Sequence, residues 1–443
     1  MKIQLSDHFT YRRLLRFVLP SILMIVCTSV YSIVDGFFIS NFVGKTPFAA
    51  INLIMPVLMG VGTLGFMVGT GGSAIVSKTM GEGDPGRANR YFSLFIYTTI
   101  GFGAAISALG YALTPQIATA LGATGELRED CILYARILFC GMPNLILQYV
   151  FQSFFIVAEK PGLSLKVTIA AGLTNAALDY LLIVTIPLGL AGAALATVMG
   201  QIVGGIFPLV YFARENKSTL RLTKTRMDVR VLGNACANGS SEMVTNLSSS
   251  IVGVLYNFQL MKAAGENGVA AYGVIMYISI IFMAIFLGYS VGSAPIVSYH
   301  YGAGNHGELR NLFRKSLLLV SIAGGFLVVL SELLARPLVM IFASYDAELL
   351  ALTVRGFRLY ALAFLIMGIN AWGSAFFTAL NNGGVSAAIS FLRTLVFQML
   401  VILTLPRVLG LDGIWLSIVA AELLALLVTG SFLFGMRKRY HYA

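Results

Sequence analysis

Long apolar runs alternate with short polar or glycine-rich breaks along this chain. Twelve runs can be marked, at about 14–40, 48–72, 91–114, 131–155, 163–186, 190–212, 233–259, 269–294, 313–335, 354–378, 385–405 and 412–435. An α-helix needs about 20 apolar residues to cross the roughly 30 Å hydrocarbon core of a bilayer, and each run is long enough. None has the ten-residue alternation of a membrane β-barrel, and lipid offers no partner to an open strand. The pattern predicts an all-α integral membrane protein with twelve transmembrane helices.

The twelve runs fall into two sets of six. Val68-Gly-Thr-Gly-Gly-Ser-Ala-Ile-Val-Ser77 with Gly81-Glu-Gly83-Asp84 matches Val291-Gly-Ser-Ala-Pro-Ile-Val-Ser298 with Gly302-Ala-Gly304-Asn305. Their Ile-Val-Ser and Gly-x-Gly elements align at a constant shift of 221 residues. The same shift aligns Gly44 with Gly265, Gly189-Leu-x-Gly192 with Gly410-Leu-x-Gly413, and Gln201 with Glu422. A shift of 222 aligns Phe154-Phe155 with Phe376-Phe377. A unit with an even number of spans re-enters on the side it started from, so the two units are parallel repeats related by a pseudo-two-fold axis near the membrane normal. The expected divisions are an amino-terminal half at 1–212, a basic linker at 213–232 and a carboxy-terminal half at 233–443. Gly65-x-x-x-Gly69 and Gly200-x-x-x-Gly204 have the spacing of close helix contacts. Pro20, Pro56, Pro143, Pro208 and Pro295 could kink their helices or simply pack.

Composition agrees with the pattern. Hydrophobic residues make up 58% of the chain and charged ones 11%, against about 25% charged in soluble domains. The net charge of +11 could suggest nucleic acid, but its distribution reads better as topology. Basic residues gather before span 1 (Arg12, Arg13, Arg16), between spans 2 and 3 (Lys78, Arg87, Arg90), between spans 6 and 7 (Arg214 to Arg230) and after span 12 (Arg437, Lys438, Arg439). The alternate loops have few, such as Arg128, Lys262 and Arg407. The positive-inside rule then puts both termini in the cytoplasm. The N-terminus lacks the short apolar core and small-residue cleavage site of a signal peptide, so span 1 reads as a retained helix. Cys27, Cys131, Cys140 and Cys236 have no metal-binding or paired spacing.

Candidate chemistry comes from the few acids inside spans: Asp35, Asp179, Glu242 and Glu422. A carboxylate at such a depth costs roughly 2.5–3.5 kcal/mol on insertion scales and calls for a partner or a function. Asn175 and Asp179 are four apart in span 5 and share a helix face. An amide one turn from a carboxylate can stabilise its charge or help hold a cation. Thr197, in Gly192-Ala-Ala-Leu-Ala-Thr197, could add a hydroxyl; alone, it and Asn175 read equally as interhelical hydrogen bonders. Tyr31, Glu242, Tyr180, Tyr256 and Met276 are candidates to line a substrate cavity, the tyrosines because they neighbour the acid positions, Glu242 because a carboxylate could meet a cationic substrate, and Met276 because soft side chains accept many shapes. Tyr256 is the repeat counterpart of Asp35, so the halves are chemically unequal. Arg393 could pair with Glu242 or with Glu422.

Taken together, the two six-helix halves, the repeated Gly-x-Gly after spans 2 and 8, the span-1 Asp, the Asn-x-x-x-Asp of span 5 and the Gly-Ala-Ala-x-Ala-Thr of span 6 resemble the multidrug and toxic compound extrusion (MATE) family of secondary transporters. The resemblance covers essentially the whole chain. It implies a monomeric, multi-pass protein of the bacterial inner membrane, without cofactor, that exports organic and mostly cationic compounds by alternating access. Asp35, Asn175, Asp179 and Thr197 resemble the amino-half cation site of DNA-damage-inducible-type members, which implies coupling to H+, with Na+ as the alternative. Glu242 resembles a span-7 acid that other members use in a carboxyl-half cation site. Those members also have a span-10 Asp, whereas span 10 here has no acid and its nearest polar candidate is Asn370. Two other readings remain at this stage: a lipid-linked saccharide flippase of related fold, which would favour a basic groove, and a membrane-embedded transferase, which would show an Asp-rich or His/Asp cluster. His8, His300, His306 and His441 are scattered.

Overall fold

The computed structural model describes residues 3–344 and 346–443, apart from the side chains of Ser32, Ser40, Asn41 and Lys45. It is helical throughout its apolar runs. The amino half comprises α1 (Tyr11–Phe42), α2 (Lys45–Gly81), α3 (Pro85–Ala120), α4 (Gly125–Val157), α5 (Pro161–Thr185) and α6 (Gly189–Ala213). The last turns of α5, Tyr180–Thr185, are π-helical. A helix of 74 residues follows, Val229–Gly302. Straight, it would run roughly 110 Å, more than three bilayer cores, but Gly265 inside it has φ 61° and ψ −149°. That break divides it into α7 (229–264) and α8 (266–302). Then come α9 (His306–Ala343), α10 (Ala347–Ala361 and Phe364–Ala379, bent by 49°), α11 (Gly383–Thr404) and α12 (Pro406–Gly435). The helices reach beyond the apolar limits read from sequence; α2, for example, runs to Gly81.

The repeat is visible in the backbone. Left-handed or otherwise positive φ recurs at the shift of 221, at Gly44 and Gly265, Gly83 and Gly304, and Gly189 and Gly410. Each pair marks a reversal between spans that a Cβ would strain. Glu159 and Asn381, related by 222, are among the few non-glycine residues with positive φ (58° and 57°). The caps repeat as well. Asp84 accepts from Arg87 N at the start of α3, and its counterpart Asn305 accepts from Glu308 N at the start of α9. Each satisfies a helix N–H that would otherwise lack a partner.

Helices α1, α2, α7 and α8 form the seam between the halves. Its closest crossings are made by glycines. A Cβ on Gly81 would strike the Tyr299 carbonyl of α8, and one on Gly302 would strike the Lys78 carbonyl of α2. Lys78 corresponds to Tyr299 and Gly81 to Gly302, so this contact is self-complementary, as a two-fold axis requires. Gly71 of α2 meets Ala235 and Gly239 of α7, and its counterpart Gly292 of α8 meets Val18 and Ser21 of α1. These crossings all lie toward the face that carries both termini.

That face is sealed further by the segment before α1. Leu5 N donates to Glu159 Oε1 in the α4–α5 turn at 2.9 Å. Phe9 N donates to Glu308 Oε1 of α9 at 2.9 Å, and His8 Nδ1 lies 2.6 Å from Glu308 Oε2. The Phe9 carbonyl accepts from Asn311 Nδ2 and Lys315 Nζ. Leu5 and Phe9 are buried in an apolar cluster with Val297, Leu309 and Tyr442. The strap thus joins an amino-half turn to a carboxyl-half helix. The proline expectation fares differently: the marked breaks fall at Gly265, at Gly410 and between the segments of α10, while α1 is continuous through Pro20.

Candidate functional site

Helices α1 and α5 of the amino half pack together, and the contact is tight because Gly172 of α5 lets the Tyr31 ring of α1 lie against its backbone. One turn beyond Tyr31 along α1 is Asp35; one turn beyond Gly172 along α5 is Asn175, and one more brings Asp179. Gly200 of α6 backs the cluster, with room there for the Asn175 Cβ and little else. The side chains of Asp35, Asp179 and Asn175 face one another within interaction range. Asp179 and Asn175 are buried, at 0% and 4% exposure.

The cluster is unfinished as a hydrogen-bond network. Among the described residues, Asp35 Oδ1, both oxygens of Asp179 and Asn175 Nδ2 find no partner in full hydrogen-bond geometry, although the three side chains lie against one another. A buried unpartnered polar atom is costly, and a buried unpartnered carboxylate more so. Two carboxylates side by side also repel, and a shared proton or a bound cation relieves both costs. All the donor atoms are hard oxygens with one amide, which suits H+ or an alkali cation and not a soft transition metal.

Of the residues singled out from sequence, Asp35, Asn175, Asp179 and Tyr31 meet in this place. Thr197 does not join them by hydrogen bond; its hydroxyl donates to Ala193 O of its own helix at 3.0 Å. Tyr180 is 58% exposed, away from the buried Asp179. Sequence reasoning missed Tyr134 of α4. It is fully buried near both Asp35 and Asp179, and its hydroxyl has no hydrogen-bond partner among the described residues. Nothing in the local sequence, Cys131-Ile-Leu-Tyr134, distinguishes it from a packing aromatic.

The carboxyl half is built differently. Tyr256 is 2% exposed; its ring stacks on Tyr272 with centroids 5.1 Å apart and its hydroxyl donates to Gln398 Oε1 at 3.2 Å. Met276 packs against the same core. Tyr256 is a core residue here, and Met276 is half-buried against that core. Glu422 of α12 is buried and paired. Arg393 Nε of α11 donates to its two oxygens at 2.8 and 3.1 Å, and Asn370 Nδ2 of α10 donates at 2.7 Å. Of the two pairings open to Arg393, the structure forms the one with Glu422, and Glu242 makes no ion pair among the described residues.

Glu242 lies on the seam. With Thr70 and Ser73 of α2, Ser153 of α4, Ser290 of α8 and Thr378 of α10, it lines a small cavity of about 50 Å³ between the halves. A half-buried carboxylate among hydroxyls can meet a cation entering there.

Comparison with known proteins agrees with this architecture. The family model described as MatE matches residues 20–181 and again 242–404, one match in each half. The multidrug export protein MepA of Staphylococcus haemolyticus (strain JCSC1435) is 23% identical over 433 residues, covering 97% of this chain and 94% of the relative. Among solved structures, the outward-facing conformation of a multidrug resistance MATE family transporter of the MOP superfamily superposes with a TM-score of 0.92 at 23% identity, covering 99% of this chain and 98% of that one. The crystal structure of MATE in complex with MaL6 superposes with a TM-score of 0.91 at 23% identity, covering 98% and 97%. With both halves matched by the family model and the twelve-helix fold shared along nearly its whole length, this chain belongs to the MatE family of membrane transporters.

Proposed function

We propose that this protein exports organic cations from a bacterial cytoplasm in exchange for protons, and that Asp35, Asp179 and Asn175 form the site where the proton is exchanged. The observation that carries the proposal is the unfinished acid cluster: two carboxylates held together in a membrane helix bundle, with orphaned oxygens and, among the described residues, no cationic side chain as partner. A structural role would have completed such a network, because breaking even one buried charge pairing is expensive. Sodium would be held by the same oxygens and is the alternative coupling ion. Staphylococcal relatives named for multidrug export support the substrate class.

The basic loops support a cytoplasmic termini-bearing face, and on that reading the glycine crossings and the strap belong to an outward-facing state. A proton arriving at Asp35 and Asp179 would remove the repulsion between them and let α1 pack more closely on α5. That change weakens the hold on a cation near Glu242, releases it outward and frees the seam to open inward. In the cytoplasm the proton leaves, and the recharged site and Glu242 take up the next cation. One proton crossing 100 mV supplies about 2.3 kcal/mol and each pH unit about 1.4 kcal/mol. Exchanged one for one against a monovalent cation, the membrane-potential terms cancel, and each pH unit sustains about a tenfold drug gradient without ATP.

Ethidium uptake into everted vesicles tests the proposal. With proton coupling, uptake collapses on addition of a proton ionophore and ignores a Na+ jump. Uptake that follows Na+ alone would make the same site a sodium site. No uptake under either gradient would remove the antiport reading.

A further inference from the structure

The two halves treat their buried acids in opposite ways. In the amino half, Asp179 immediately precedes the π-helical turns Tyr180–Thr185 of α5 and faces a second acid. In the carboxyl half, Arg393 sits within the π-helical segment Leu392–Val396 of α11, the fifth span of its half, and faces Glu422. π-segments inside α-helices often accompany functional sites. At the repeat shift of 221, Arg393 falls opposite Gly172, Glu422 opposite Gln201, and Tyr256 opposite Asp35. Among the described residues, the amino cluster therefore brings two acids and no base, and the carboxyl cluster one acid and one base.

We infer that Arg393 is a covalently tethered cation that stands where a free cation would otherwise bind Glu422, and so confines ion coupling to the amino half. This rests on the reading that Asp35 and Asp179 exchange the coupling ion. Three features support it. Glu422 is satisfied where Asp179 is not: two contacts from Arg393 Nε and one from Asn370 Nδ2 fill its oxygens, and Asn370 also donates to its backbone carbonyl at 2.9 Å. Arg393 and Glu422 are buried, at 8% and 2% exposure, with Asn370 at 0%, so no water competes for the carboxylate. A guanidinium keeps its proton at any pH a cell reaches, and its planar donors suit a carboxylate better than a hydrated ion does. A free cation entering this half would have to displace a group that cannot leave.

The test is made on the purified full-length protein carrying Asp35→Asn and Asp179→Asn, so that a response comes from the carboxyl half and not from the amino site. Thermal unfolding is followed as NaCl replaces choline chloride. Adding Arg393→Gln is expected to create a Na+ response, with Tm rising by about 1–2 °C at Na+ ten times its dissociation constant. Arg393→Lys restores a tethered cation and is expected to show no response. Arg393→Gln with Glu422→Gln removes both charges and is also expected to show none. A folded Arg393→Gln protein indifferent to Na+, or a response that survives in the double neutral variant, would overturn the inference. Should Arg393→Gln fail to fold, Glu422→Gln alone serves: it exposes the tethered cation and is expected to gain stability from chloride over gluconate, and the absence of that gain counts against the proposal. None of these readings depends on transport, so a failed vesicle experiment and a failed Arg393 experiment are told apart.

Discussion

Asp35 and Asp179 are costly residues singly and informative as a pair. Either acid alone in a span could be neutralised by one proton or one base; placed together with Asn175 and the unpartnered hydroxyl of Tyr134, they make a site with a ligand to gain. Asp35→Asn and Asp179→Asn should each reduce the ethidium gradient in vesicles at least tenfold, to that of vesicles lacking the protein. The double variant should be no worse than either single one, because residues acting as a unit are not additive. A double variant that still builds the full gradient would show that coupling lies elsewhere. Tyr134→Phe removes only the hydroxyl. It should leave export in place and move its pH profile by no more than about one unit, equal to about 1.4 kcal/mol; loss of export with normal expression would promote Tyr134 from neighbour to participant.

At the scale of elements, the repeat governs both what was legible and what was not. The glycines aligned by sequence at 44 and 265, 83 and 304, and 189 and 410 are the very positions with positive φ, because a reversal between spans needs a residue without a Cβ. Asp84 and Asn305 could be aligned from sequence, and both prove to be helix caps. The acids were legible because charge is rare inside a span. Tyr134 was not, since an aromatic in an apolar run carries no signal of its own. The choice of Arg393 for Glu422 over Glu242 also had to come from three dimensions, because the partners lie on different helices, 29 residues apart in the chain. Nor does any pattern announce the strap: residues before the first span look like an ordinary tail. The glycine crossings bear their own prediction. Gly302→Leu drives a side chain into the Lys78 carbonyl; backbone has to move, at a cost of about 1–3 kcal/mol or more. Cysteines introduced on the termini-bearing ends of α2 and α8 should then label faster than in the parent. Unchanged labelling would mean that the crossing can relax without opening.

For the whole molecule, four seam helices close one face by paired glycine contacts, and the strap of residues 4–9 fastens the same face from Glu159 to Glu308. Alternating access requires that this closure be reversible. Phe9 is completely buried, and truncating such a side chain typically costs 3–5 kcal/mol. If only the outward-facing state buries it, Phe9→Ala should populate the inward-facing state. Spin labels at Arg214 and Arg310 should report this as a growing long-distance population; superimposable distance distributions would reduce the strap to a passive tail. The central claim, that the acid pair trades a proton for the substrate, has a more direct readout in proton release. Ethidium is added to the purified protein in weakly buffered detergent solution and the pH is followed. The account predicts release of about one proton per cation bound, abolished when Asp35→Asn and Asp179→Asn are combined. Equal release from that double variant, or binding by the parent protein without release, would contradict it.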